Sequence, residues 1–233
     1  MSFLRSVPAE QADRYDIYVN IHKGLRVFMS ETLTRIGRLD VDNDRELSDG
    51  LHELNGLLDF CEAHIAHENT HIHPALEAAR AGASDEADDD HVAHGEGIVT
   101  LRRMVEALML LQGQARRQAV LRLYRQLAVF VGENLLHMHH EETEHNAVLW
   151  AAYSDAELLA IEGRIVASLS PEAAMTSMRW MVPAMSPADR LVLLGPLADM
   201  MPPPQFEALM ACVRPHLPVH ELARLEAGLR RAA

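Results

Sequence analysis

The sequence predicts an all-α protein, with a bundle of two similar helix pairs followed by a set of short helices. Apolar residues recur at three- and four-residue steps over most of residues 1–153, as in helices that bury one face. Aromatic residues make up only 5% of the chain, whereas strands favour aromatic and β-branched side chains. A histidine-rich pattern also occurs twice, 73 residues apart. We expect a bundle over 1–153 and a helical extension over 154–233.

The apolar periodicity predicts four long helices in the first of these regions. Their expected spans are 9–38, 45–81, 90–111 and 114–153. Pro74 lies inside the second span and predicts a kink or an early stop. The acidic stretch 82–90 predicts a loop whose end begins the third helix, and Gly113 predicts its stop.

Beyond residue 153, start signals for short helices follow one another. Ser154 and Glu157 have the spacing of a capping box. Ser170 and Ser186 each precede a proline, which suits a helix cap followed by a first-turn proline. The sequence therefore predicts that the extension consists of short capped helices.

Charge and composition exclude several classes of partner. The net charge is −13, and no basic patch is found that would offset it, so we expect no nucleic-acid partner. No apolar run approaches the ~20 residues that span a bilayer, and the first residues do not have the pattern of a secretory signal. Cys61 and Cys212 are far apart and fit a reducing compartment. We therefore expect a cytoplasmic protein without a membrane partner.

The repeated pattern is H-x-x-H-E, and it predicts a metal site. The first copy begins at His64 and ends at Glu68, and the second begins at His137 and ends at Glu141. On a helix, residues i and i+4 are separated by ~40° in azimuth, so the histidine and the glutamate of each copy point the same way. An isolated histidine precedes each copy by roughly forty residues: His22 before the first, and His94 or His91 before the second.

Two helix pairs that each supply two histidines and a carboxylate can hold two metal ions inside a bundle. Without a metal ion, these imidazoles and the two carboxylates would be buried without hydrogen-bond partners or a compensating positive charge. Two residues of the third long helix could supply its ligand. His94 follows His22 by 72 residues, close to the 73-residue spacing of the repeat, whereas His91 lies one turn away and could face the same interior. His94 is the first choice and His91 the second, or an additional ligand.

The pattern H…HxxxE…H…HxxxE, with His22 in Ile21–Arg26 and Leu149 after the second copy, resembles the hemerythrin-like, or HHE cation-binding, family. The resemblance covers about residues 10–153. It implies an up-down-up-down four-helix bundle with a di-iron centre of two Fe ions bridged by Glu68 and Glu141. Its ligands would be His22, His64, Glu68, His94 or His91, His137 and Glu141.

The chain departs from the pattern of the invertebrate oxygen carriers. Glu141 follows His137 by four residues, where those proteins have an aspartate five residues later. The chain is thus more similar to the bacterial and sensor-type members of the family. Imidazole and carboxylate ligands suit iron, and also zinc or manganese.

We therefore expect a non-haem di-iron protein that binds or senses O2, NO or iron. One alternative is an enzyme at the same centre that handles NO or peroxide or repairs iron centres; no catalytic residue is predicted, so enzymatic activity stays open. Another is a regulatory cation-binding module. In either case the C-terminal helices could bind a protein partner or form a homo-oligomer.

Overall fold

The computed structural model describes residues 14–232, and its regular elements in that range are all helices, which confirms the predicted all-α class. The α-helices are α1 Val19–Arg38, α2 Asp44–His67, α3 His73–Ala79, α4 Asp85–Leu108, α5 Gly113–His140, α6 Asn146–Ala152, α7 Asp155–Ser168, α8 Pro171–Ala184, α9 Pro187–Met200, α10 Pro203–Val213 and α11 Val219–Ala232.

Within the described range the chain divides into two compact units. The first contains residues 14–18 and Phe28–Ile165, and the second contains Val19–Val27 and residues 166–232. The first half of helix α1 therefore belongs to the second unit, and its second half belongs to the first unit. The predicted division between 153 and 154 stays a prediction.

Helices α2 and α4 of the first unit run antiparallel to each other. Arg102 of α4 pairs with Asp59 and Glu62 of α2, whereas His91, three turns earlier on α4, hydrogen-bonds to Asn69, later in the chain than α2. Residue numbers therefore decrease along α4 in the direction in which they increase along α2 and the turn after it. Fully or almost fully buried apolar side chains fill the space between the long helices of this unit: Phe28, Met29, Leu54, Leu57, Leu58, Leu101, Leu123 and Leu127.

Two of the predicted helices each contain one π-helical turn. Helices α2 and α3 are joined without a break by the π turn Glu68–Ile72, and α5 and α6 by the π turn Glu141–His145. Both π turns begin at the glutamate of an H-x-x-H-E pattern. Where Pro74 predicted a kink or a stop, the chain forms the π turn Glu68–Ile72 and then continues as α3. Pro74 lies in the first turn of α3, where its missing N–H is tolerated.

A threonine at the same repeat position explains part of this local winding. The hydroxyl of Thr70 donates to the carbonyl of Ala66 at 2.6 Å, and that of Thr143 to the carbonyl of His139 at 2.8 Å. Such bonds compete with the backbone for the carbonyl four residues earlier. The next bonds then form with i+5 spacing, as in a π-helix.

Several predicted helix limits differ from the structure, including the end of the third predicted helix, which is at Leu108 instead of residue 111. Helix α4 begins at Asp85 instead of residue 90, because the acidic residues form its first turn, where the helix dipole favours negative charge. Gly113 does not end α4 but begins α5, with a φ of 55° that glycine adopts readily. Helix α1 begins at Val19 rather than residue 9; residues 9–13 lie outside the described range.

The second unit has its own apolar core beneath short helices, as predicted. Ser170 and Ser186 accept hydrogen bonds from the N–H groups of Ala173 and Asp189 and so cap α8 and α9. The core residues are Val182, Leu194, Leu209, Met210, Val213, Leu217 and Leu225. Among the described residues, no helix is both long and apolar enough to cross a bilayer.

Candidate metal centre

Four buried side chains from three chain segments converge inside the first unit. Glu68 and Glu141 begin the two π turns, His91 is in the second turn of α4, and His137 is in the last turn of α5. Their ligand atoms all lie within 4.8 Å of one another. The Nε2 atom of His91 lies 3.4 Å from a Glu68 oxygen, and the Nε2 atom of His137 lies 3.4 Å from a Glu141 oxygen.

The outer ring nitrogens of these two histidines are held by oxygen acceptors. His91 Nδ1 donates to the amide oxygen of Asn69 at 2.6 Å, and His137 Nδ1 donates to a carboxylate oxygen of Asp90 at 3.1 Å. In a neutral imidazole the proton is then on Nδ1 and the lone pair on Nε2. The two Nε2 atoms lie only 3.0 Å apart, so their lone pairs require a proton or a cation between them.

His64 brings a further imidazole to the same carboxylates. Its Nε2 atom lies 3.1 Å from an oxygen of Glu68, one turn later on the helix, as the i,i+4 spacing predicted. His64, Glu68 and Glu141 form a second group whose ligand atoms lie within 4.8 Å of one another. His22 is fully buried on α1, in the part of that helix that packs with the second unit. Its role as a ligand stays a prediction.

His94, the first choice for the third long helix, lies beside this site. Its ring packs edge-on against Phe130 and against His137, with centroids 6.0 and 5.0 Å apart. Among the described residues it joins no group with metal-binding geometry, whereas His91 does. Burial, together with the nearby His137, lowers the pKa of His94 to about 4. The structure thus brings His91 to the carboxylates and places the ring of His94 against Phe130 and His137.

The structure also brings in two histidines that are not among the predicted ligands. His73 and His145 are buried, and together with Glu141 they form another group with ligand atoms within 4.8 Å of one another. The π turn places the His73 N–H on the carbonyl of Glu68, five residues earlier, which α-helical periodicity does not predict. His145 follows Glu141 by four residues, so helical spacing was a usable signal for it.

These buried His/Glu groups can hold a metal ion. Burying carboxylates such as Glu68 and Glu141 (1% and 0% exposed) is costly unless positive charge compensates them. The donors are imidazole nitrogens and carboxylate oxygens, a set that suits iron, manganese or zinc. Cys61 offers no thiolate, because burial raises the pKa of its thiol to about 12.

A cavity of about 490 Å³ lies beside the centre, so a small ligand has space close to it. His94 and His137 line its inner part, and Asp90, His140 and Glu144 also contribute to its wall. The fold and site together define the chain as an all-α protein with buried groups fit for a metal ion. Comparison of the chain with protein-family models, curated proteins and solved structures gives no match.

Metal uptake at neutral pH is expected to release at least one proton per chain. Burial alone would disfavour a charged His137, but its hydrogen bond to Glu141 and the charges of Glu141 and Glu68 raise its pKa to about 9. At pH 7 the metal-free protein therefore holds a proton where a metal ion would bind, and the two compete. Calorimetric titration in two buffers of different ionisation enthalpy measures the number released. Equal observed binding heats in the two buffers, which would mean that no proton is released, would contradict this prediction.

Proposed function

We propose that the chain is a hemerythrin-like, non-haem di-iron protein that binds or senses O2, NO or iron. The observation that supports this most is the approach of two histidine Nε2 atoms to 3.0 Å between two buried glutamates. The antiparallel arrangement of α2 and α4 also suits the proposed up-down-up-down four-helix bundle. Zinc or manganese would fit the same donors.

In this proposal two ions would share Glu68 and Glu141, and each would have its own histidine ligands. His91 and His137 would bind one ion with Glu68 and Glu141, and His64, with the predicted ligand His22, would bind the other. The ions would supply open coordination positions and two electrons for a diatomic ligand. The protein orients the imidazoles through Asn69 and Asp90 and limits access of water by burial.

The test uses protein reconstituted anaerobically with ferrous iron and then exposed to O2 and, separately, to NO. We expect about two irons per chain and near-ultraviolet and visible absorption bands that change with the gas and return on reduction. His216→Ala is the matched control, because His216 is an exposed histidine in the second unit. It should leave iron content and spectrum unchanged.

A different result would redirect the assignment. Two irons without any spectral response to either gas would favour iron sensing over gas binding. One zinc per chain, with no iron taken up, would contradict the di-iron proposal and favour a structural or regulatory cation site. Continuous consumption of NO or peroxide in the assay would favour the enzyme alternative, for which the neighbouring cavity provides space.

A further inference from the structure

His73 and His145 form a second pair of inward-facing imidazoles in the first unit. Their side chains are 4% and 1% exposed, and their rings meet edge to face with centroids 5.9 Å apart. The Nε2 atom of each is buried and has no hydrogen-bond partner within the described part of the chain. Buried polar atoms normally have a partner, so these two nitrogens call for a ligand that the polypeptide does not supply.

The outer nitrogens of this pair are fixed in the way that metal-binding histidines usually are. His73 Nδ1 donates to a carboxylate oxygen of Asp88 at 2.7 Å. His145 Nδ1 lies 3.1 Å from the hydroxyl oxygen of Tyr18, which can accept its proton. A metal-ligating histidine typically donates its second N–H to such an oxygen, which leaves Nε2 free to bind the ion. The pair is therefore oriented as His91 and His137 are.

Glu141 completes a set of three donors. One ligand atom from each of His73, His145 and Glu141 lies within 4.8 Å of the other two, and all three residues are buried. We propose that these residues hold an additional zinc ion, beyond the two ions of the proposed centre. Two imidazoles and one carboxylate are a donor set that holds zinc while leaving a position open. The inference depends on the proposed function only in sharing Glu141 with that centre.

Neither histidine of the additional site has a histidine at the equivalent position of the other repeat copy. The shift of 73 residues that superposes the two H-x-x-H-E patterns carries Ile72 onto His145 and His73 onto Asn146. Each histidine thus has a non-ligating counterpart that the fold already accepts in a buried position. His145→Ile and His73→Asn are therefore the matched substitutions, since each introduces the residue that the other half of the repeat uses.

A competing position would use His73, Asp88 and His91, whose ligand atoms also lie within 4.8 Å of one another. The side chain of Asp88 is 52% exposed and already accepts the Nδ1 proton of His73. An ion there would break that hydrogen bond and leave the buried Nε2 atoms of His73 and His145 as they are. The position with Glu141 satisfies both nitrogens, so we favour it.

The test is equilibrium dialysis of the metal-free full chain against Zn²⁺, with metal content measured by mass spectrometry. We expect three zinc ions per chain in the wild type and two in each of His145→Ile and His73→Asn. His71→Ala is the control, because His71 is a half-buried histidine of the same π turn and joins no group with metal-binding geometry in the described range. It should keep three. Unchanged far-ultraviolet circular dichroism checks that each variant folds.

Zinc-edge anomalous diffraction then locates the ions. A peak about 2.0–2.1 Å from both His73 Nε2 and His145 Nε2 supports the additional site. Two ions in the wild type that persist in His145→Ile would overturn it and leave the proposed centre standing. Loss of an ion in His73→Asn but not in His145→Ile would also overturn it, in favour of Asp88 and His91. A single ion that His145→Ile removes and His91→Ala keeps would support this site and contradict the two-ion centre.

Discussion

The substitution Glu141→Gln is expected to abolish metal binding while the helices remain folded. Glu141 is the residue shared most widely, because it belongs to the groups with His64, with His91 and His137, and with His73 and His145. Glutamine keeps the size and one oxygen of the side chain but removes its charge. Without that charge, cations at neighbouring positions would repel one another inside a buried, weakly screening environment.

The expected loss of affinity is at least about 100-fold, since even the outer partners of metal ligands contribute 10–100-fold. Metal that binds at 1,000 times its dissociation constant stabilises a fold by about 4 kcal/mol. For a chain of this size that corresponds to a rise in melting temperature of about 10 °C. The wild type should show this rise on adding iron or zinc, and Glu141→Gln should show almost none.

The metal-free variant provides the necessary comparison. Glutamine removes both a buried charge and the partner of a protonated His137, so each variant is compared with its own metal-free form. Glu142→Gln is a matched control, because Glu142 is the next residue of the same π turn and is only half-buried. A metal-dependent rise in Glu141→Gln equal to that of the wild type would contradict the assignment of this glutamate.

The sequence was sufficient for the part of the site that obeys α-helical spacing. His64 and Glu68, like His137 and Glu141, are four residues apart within or at the end of a regular helix, and the structure places the paired atoms 3.1 and 3.4 Å apart. Beyond Glu68, α-helical spacing does not predict which residues face the site, because the π turn changes the number of residues per turn. His73 therefore points inward, although a regular α-helix would rotate it by about 140° from Glu68.

The choice between His91 and His94 illustrates a different limit. Residues three apart on a helix differ by about 60° in azimuth, so periodicity alone cannot decide which faces a site. The repeat offset favoured His94, but in the structure His91 approaches Glu68 and is held by a hydrogen bond to Asn69, on another chain segment. The start of α4 at Asp85 was missed for a similar reason, since five acidic residues in six suggested a loop before they suggested a helix.

Substitutions of His91 and His94 by alanine are expected to have different effects on metal content. His91→Ala is expected to lose at least one metal ion per chain, because its Nε2 atom lies 3.4 Å from Glu68 and 3.0 Å from His137 Nε2. His94→Ala is expected to keep the full metal content. Its ring contacts Phe130 and His137 side-on, so its loss leaves a cavity and should cost stability rather than ligands.

Metal content and melting temperature, measured on both variants with and without metal, separate these effects. His91→Ala should lose most of the metal-dependent rise in melting temperature, and His94→Ala should melt lower than the wild type in both states while keeping that rise. If His94→Ala lost the metal-dependent rise and His91→Ala kept it, His94 would be the ligand, as the repeat offset predicted. Because both residues are buried on α4, a general effect of truncating a histidine on that helix would appear in both variants and cannot imitate the expected difference.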